Sequence, residues 1–376
     1  MTDNAPLFLG PMGRIVPSPA GGAAGMAQSL ARTGGNAGNL IFQLATAQMI
    51  DMPLRPMGGA HGYNAPAGTA PLVLPAANHL RPADWAPLTR FLEGAQRPIA
   101  VFGLGADSAN TPALRQSPSL MRLVAVLRER AIAITFRGAR SAAIGADLGL
   151  NGVVLGCPSI FLNPLPDLGS HITRELQRAA WRPGLRCAIH AGDPFNPRTP
   201  THSRAEQIMF RYVATGLAQH WILPSGGGTA CAAAAGQIDA PESLSRALGH
   251  VDATPILARA GYVPFSARSW IARLRGVDLA LGTRAHGALA GLAAGTPAPL
   301  TPIDARTSEL AQTMHLPTLP LDALTRAATP QDAIASVAFS PAAFDTWRCT
   351  AAGQMAALLR GIGLRPAPHL DRLAAA

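Results

Sequence analysis

Arg284 and His286 stand two residues apart in Val277-Asp-Leu-Ala-Leu-Gly282-Thr-Arg284-Ala-His286-Gly, where an apolar run gives way to Ala and Gly. The run predicts a buried strand and the small residues a helix, so both side chains fall on the turn that opens the helix. A helix N-terminus offers free N–H groups and a partial positive charge, and a guanidinium beside it completes an anion site. His286, in the first helical turn, is placed to act as general acid, and Arg284 as phosphate or carboxylate clamp. The alternative is that Arg284 ties down a domain edge while His286 hydrogen-bonds a carbonyl.

Other residues could complete such a site. Arg137 follows a predicted strand end and is the first domain's contribution, or else a surface Arg at a helix start. Asp304 and Glu309 flank Arg306 on the turn after the next strand, where they could orient Arg284 or accept protons. Arg306 paired to Glu309 at i, i+3 is the competing reading. Asn36, Gly38 and Asn39 lie in Gly35-Asn36-Ala-Gly38-Asn39, ahead of the apolar helical run 40–50, and could cradle an anion or a sugar; a Gly-rich turn with Asn as N-cap fits equally. Pro224-Ser-Gly226-Gly227-Gly228-Thr229 has strand-to-helix context but no Walker lysine, so it reads as a tight turn. Phe102-Gly103-Leu-Gly105-Ala-Asp107-Ser108 lacks the third glycine of a dinucleotide fingerprint. His61 lies in a Gly-rich loop that reads as a mobile surface loop, with reach to the cleft as the alternative, and His190, at a strand end with Asp193 following, faces the expected cleft edge. The remaining histidines show no metal spacing, so no metal and no cofactor is expected.

Composition narrows the chemistry. All 31 basic residues are arginine, so any bound phosphate or carboxylate is held by Arg, His or backbone amides, and Schiff-base lysine chemistry is excluded. The net charge of +10 is scattered and aromatics are few, which argues against nucleic acid and for an acidic small substrate or an anionic membrane surface. Four distant cysteines form no CxxC pair and read as reduced buried thiols of a cytoplasmic protein. Asp3 and the prolines at 6, 11, 17 and 19 do not make a signal peptide, and no apolar window reads as a membrane span.

With 376 residues, the chain exceeds the size at which one core keeps growing. Short apolar runs at 99–105, 132–136 and 153–155 alternate with helical stretches 120–130 and 139–148. After a Pro- and Gly-containing stretch near 163–184 the alternation restarts, with strands expected at 186–191, 221–224, 256–259, 277–282 and 298–303. Helices are expected near 203–219, 228–238, 267–275, 285–294 and 306–314. The pattern is α/β: two Rossmann-like, doubly wound domains facing a cleft, 1–170 and 171–330, with a helical segment 331–376 packing back on the first. Ligands then belong at the C-terminal ends of the strands that face the cleft.

The run Gly-Thr-Arg284-Ala-His286-Gly, followed by Ala-Gly-Thr-Pro297 and Asp304-Ala-Arg306-Thr-Ser-Glu309-Leu310, resembles the C-terminal signature of the polysaccharide pyruvyltransferase family. The resemblance continues in Phe136-Arg137-Gly-Ala-Arg140-Ser141, Leu155-Gly-Cys157-Pro158-Ser159 and Gly35-Asn36-Ala-Gly38-Asn39. It implies a glycosyltransferase-B-like pair of domains. It also implies transfer of a pyruvyl group from phosphoenolpyruvate onto two hydroxyls of a sugar as a ketal, with Arg284 and His286 in donor binding and catalysis. The chain departs from the family pattern at Ala285, where Leu is frequent, and at Asn39, where many relatives carry Asp.

The expected partners are therefore phosphoenolpyruvate and a sugar acceptor of a polysaccharide or lipid-linked precursor, handled at the inner membrane face. The alternatives are a nucleotide-sugar-dependent glycosyltransferase of the same architecture and a non-catalytic glycan-binding protein of an export assembly.

Overall fold

The protein is described by a computed structural model, which covers residues 5–58, 65, 68–107 and 111–376. It is a mixed α/β structure with two parallel sheets. In the first, β1 (Leu7–Leu9), β2 (Arg55–Met57), β3 (Leu72–Pro75), β4 (Ile99–Leu104), β5 (Ala131–Phe136) and β6 (Val153–Val154) lie in the order β2-β1-β3-β4-β5-β6. In the second, β7 (Cys187–His190), β8 (His220–Ile222), β9 (Gly261–Tyr262) and β10 (Leu279–Gly282) lie in the order β10-β7-β8-β9. Single bridges carry this sheet outward from Gly282 to Leu300, then Thr318, then Ala338.

The direction of winding reverses once in each sheet. The chain leaves β1 for β2 and then crosses to β3 on the other side; likewise it leaves β7 for β8 and β9 and returns to β10. At such a reversal the loops leaving the strand ends part in opposite directions and open a crevice beyond the carboxyl edge. His190 pairs with Gly282 in register, so the two loops of the second sheet start level with each other.

Side-chain alternation divides the first sheet between two apolar layers. Leu7, Leu72, Leu74, Ile99 and Val101 pack toward the helices Ala86–Ala95 and Pro118–Arg130. Phe8, Val73, Ala100 and Phe102 belong to a second buried cluster that runs on through the helix Asn39–Gln48 into the second sheet. The two sheets are thus joined by continuous apolar packing. The helix Gly22–Ala31 lies against Gly227–Ala234, where a Cβ on Gly228 would stand 2.2 Å from the Ala23 carbonyl oxygen. The helix Ala285–Ala294 is apolar on all sides because it is buried on all sides: Gly287 faces the His190 ring and Gly291 faces Ala298.

Most expected elements are present, with two corrections. Residues 256–259 are helical, within Thr254–Ala260, and the strand is the adjoining Gly261–Tyr262. Pro255 opens that helix, and Ile256, Leu257 and Ala260 share its buried face, while only glycine fits at 261, where a Cβ would meet the Ala234 carbonyl oxygen at 2.1 Å. The run 298–303 contributes isolated bridges at Leu300, to Gly282 and to Thr318, rather than a strand. No helix among the described residues is long and apolar enough to cross a membrane.

The C-terminal helix Pro341–Gly361 packs against Leu168–Trp181 and returns toward residues 49–51, where Asp51 N donates to the Arg365 carbonyl and Ala367 N to that of Met49. Asp345 accepts from the amides of Gly169 and Ser170. Arg348, fully buried, donates to the carbonyls of Ile160, Asn163 and Leu165, and burial pushes its guanidinium down to about 10. Arg348→Met removes three charge-assisted donors and leaves their acceptors buried. It is expected to lower the unfolding free energy by about 3 kcal/mol or more, measured by urea titration; a loss under about 1 kcal/mol would show that the contacts hold nothing together.

Candidate anion-binding site

Both sheets turn their carboxyl edges toward one pocket. From the first come Asn78 after β3, Gly105 after β4 and Arg137 after β5; from the second come Pro224 after β8 and Thr283 to His286 after β10. Asn36, Gly38 and Asn39 close one side, and Arg306, Thr307 and Glu309 the other. The cavity holds about 120 Å3, which suits a small molecule and not a polymer.

Arg137 is buried, donates from Nε to the Gly103 carbonyl at 3.0 Å, and lies 5.5 Å from the Phe42 ring centre. Arg284 is half-buried; its Nε donates to the Ala191 carbonyl at 3.2 Å and its Nη2 to Ser225 Oγ. Among the described residues, neither guanidinium has a carboxylate within ion-pair distance. Burial is the main cause that pushes both below their ordinary pKa, and Arg306 adds a like-charge push to each. Two cations are thus taken out of water and satisfied by neutral partners, which favours an incoming anion.

His286 lies between them. Burial first, then the charges of Arg137 and Arg284, push its imidazole well below the ordinary value of 6.5, so the ring is neutral at pH 7. Its Nε2 is buried with no protein partner. Gly38 makes room for it: a Cβ there would stand 3.3 Å from His286 Cβ and Nδ1 and 2.8 Å from Asn36 Oδ1. The helices Asn39–Gln48 and Ala285–Ala294 both begin at the pocket, and neither has a side-chain cap on its first amides.

The remaining expected residues have well-defined partners. Asn36 Oδ1 accepts from Gly38 N at 2.8 Å and Asn39 Nδ2 donates to the Thr33 carbonyl, so both shape the turn, and Gly38 is the N-cap position. Asp304 caps the helix Ala305–Thr313 through Thr307 N and pairs with Arg306 at 2.6 Å; it is not among the pocket-lining residues. Arg306 also pairs with Asp107 at 2.9 Å, so its expected partner Glu309 is replaced by two aspartates. Glu309 is directed instead at the first sheet, where it accepts from Ser141 N at 2.7 Å and Ser141 Oγ at 2.9 Å. That carboxylate sits at the start of the helix Ala139–Asp147, so Glu309 acts there as a cap supplied from the other sheet. His190 is fully buried behind the pocket, pushed down to about 3 by burial, and so does not face the cleft. His61 and Ser108 lie outside the described residues.

Sequence reasoning missed Asn78, because the short strand before it has no helix-alternation signal, and Ser225, which sits in the glycine loop read as a turn. The described residues gather no set of three His, Cys, Asp or Glu groups able to hold a metal. No protein-family model matches the chain, and no curated protein matches it.

Two predictions follow from the packing and the charges. Gly38→Ala keeps helical backbone, since φ is −56°, so folding stability should stay within about 1 kcal/mol of wild type while phosphate binding weakens at least about tenfold by calorimetry. Unchanged affinity would show that the His286 contact is not tight. His190 and His286 both have folded pKa values below the unfolded 6.5, so the unfolded chain binds more protons and stability is complete above that pH. Between pH 6.5 and 5 stability should therefore fall as acid is added, approaching about 1.4 kcal/mol per pH unit for each histidine. A urea midpoint that stays flat over that range would contradict the neutral assignments.

Proposed function

We propose that the pocket binds phosphoenolpyruvate and that the protein transfers its pyruvyl group to two hydroxyls of a sugar. The observation that carries this reading is the pair of guanidinia, Arg137 and Arg284, which have no carboxylate partner among the described residues and line a cavity of about 120 Å3 with a buried histidine nitrogen. Phosphoenolpyruvate has a phosphate and a carboxylate on adjacent groups, so two separated cations match its two charged ends. The sequence resemblance to polysaccharide pyruvyltransferases supplies the reaction type, and a glycosyltransferase-B-like pairing of the two sheets is part of the same reading.

In this mechanism His286 takes up a proton as the bound trianion offsets Arg137 and Arg284, and delivers it to the methylene carbon. The first sugar hydroxyl adds to the cationic carbon and loses its proton. The carbon–oxygen bond to phosphate then breaks, and the second hydroxyl adds. One hydroxyl proton in net terms replaces that given to the methyl group and the other leaves with phosphate, so a ketal and hydrogen phosphate are formed. A larger groove of about 760 Å3, with Arg14, Arg32, Trp85 and Arg90 in its lining, includes Gly34 and His79, close in sequence to the pocket's Asn36 and Asn78, which supports an acceptor site there. An acceptor held at an anionic membrane face is compatible with the excess of arginine.

The test is thermal unfolding with phosphoenolpyruvate against UDP, GDP and CMP at fixed salt, followed by phosphate release in the presence of sugar acceptors. Phosphoenolpyruvate alone should raise the melting temperature. Arg137→Met and Arg284→Met should each lower its affinity about tenfold to a hundredfold. A shift produced by a nucleotide instead would replace this reading with a nucleotide-sugar glycosyltransferase. Tight glycan binding without phosphate release would leave a binding protein.

A further inference from the structure

Behind Arg284, outside the pocket lining, the helix Pro200–Ala214 carries His202 and Glu206 one turn apart on its buried face. Glu206 is 4% exposed, and its carboxylate accepts from three neutral donors: Gly192 N at 3.0 Å, His202 Nε2 at 3.3 Å, and the Thr283 hydroxyl. The tautomer of His202 is fixed from the other side, because its Nδ1 accepts from Arg198 N at 3.0 Å, which leaves the proton on Nε2. Glu206 thus ties together the loops that leave β7 and β10.

Both loops hold Arg284. Gly192 follows Ala191, whose carbonyl accepts from Arg284 Nε, and Thr283 precedes Arg284 in the chain. A Cβ on Gly192 would stand 2.5 Å from Glu206 Oε1, so the closeness of this loop depends on glycine. Of the groups that keep the Arg284 guanidinium charged against its burial, Glu206 is the largest.

We infer that Glu206, acting through Thr283 and Gly192, is a positioning residue that sets the affinity of Arg284 for the anionic substrate. Its charge lies close enough to offset the half-buried guanidinium, yet its oxygens are occupied by Gly192, His202 and Thr283 rather than by Arg284 itself. The remaining N–H donors of the guanidinium are thereby left for ligand. A direct Glu206–Arg284 ion pair would occupy the same donors and compete with the substrate. This inference rests on the donor-binding reading of the pocket given above.

Calorimetric titration of phosphoenolpyruvate into Glu206→Gln, Thr283→Val, Thr283→Ser and the Glu206→Gln/Thr283→Val double variant tests it, with thermal unfolding of each as a folding control. Glu206→Gln and Thr283→Val should each weaken binding about tenfold, with Thr283→Ser within about twofold of wild type. The double variant should bind no more weakly than the weaker single one, because both act through one contact. Wild-type affinity in the two single variants, or losses that multiply in the double variant, overturns the inference. If Glu206→Gln does not fold, the comparison of Thr283→Val with Thr283→Ser decides, and equal affinities sink the proposal. Wild-type protein that binds inorganic phosphate but not phosphoenolpyruvate refutes the donor reading, and the same variants are then read with phosphate. Protein that binds neither refutes both.

Discussion

The carboxyl edges of the two sheets meet around two cations, Arg137 and Arg284, that have no carboxylate within ion-pair distance among the described residues. A guanidinium removed from water loses a large hydration energy, and carbonyl oxygens restore only part of it. Arg137 and Arg284 show that loss directly, since burial pushes both below their ordinary pKa, and Arg306 faces the same cavity with like charge. A fold does not place such groups together for its own stability. The apolar packing that joins the sheets supplies the stability that makes the arrangement tolerable, and on the proposed reading an anion bridging the guanidinia would remove its cause.

The cations can be close without collapsing onto acids because the acids are engaged elsewhere. Asp304 and Asp107 both bind Arg306, the outermost of the three arginines, and Asp304 also caps its own helix. Glu309 is drawn across to Ser141, where missing side chains admit it: a Cβ on Gly138 would stand 2.3 Å from Glu309 Cγ. Asp107 and Ser141 follow strands of the first sheet, Ser141 in the helix Ala139–Asp147, whereas Arg306 and Glu309 lie in the helix Ala305–Thr313 beyond the second sheet. The same polar pairs that keep carboxylates off Arg137 and Arg284 therefore join the two halves across the pocket.

The pocket was legible in the sequence where local pattern and chemistry coincide. The apolar run into Arg284 and His286, and the strand end before Arg137, are set by short-range preference, and the structure brings these three side chains to one cavity. Residues 256–259 were misread because a short apolar segment has no period that separates strand from helix; Pro255 and the one-sided burial decide it. Partners were less legible than positions. The i, i+3 spacing of Arg306 and Glu309 suggested an ion pair, but each found a partner across the pocket. His202 and Glu206 carry an i, i+4 signal common on solvated helices, and only the meeting of β7 and β10 gives it meaning.

The neutral state of His286 also follows from tertiary structure alone, and it changes how a general acid can work here. An imidazole beside two guanidinia gives up its proton, so by itself this histidine is poorly suited to donate one. The two charges that expel the proton are the ones a phosphate–carboxylate ligand would neutralise, and the Nε2 that lacks a protein partner borders the same space. Ligand charge and proton uptake are then linked: whatever affinity the anion gains from a protonated ring, the proton gains equally from the anion. Were Arg137 and Arg284 ion-paired to acids, burial alone would still hold His286 neutral, and an arriving anion would have less charge to offset. On the proposed reading, the lack of carboxylate partners among the described residues would serve both the binding of the anion and the proton uptake of His286.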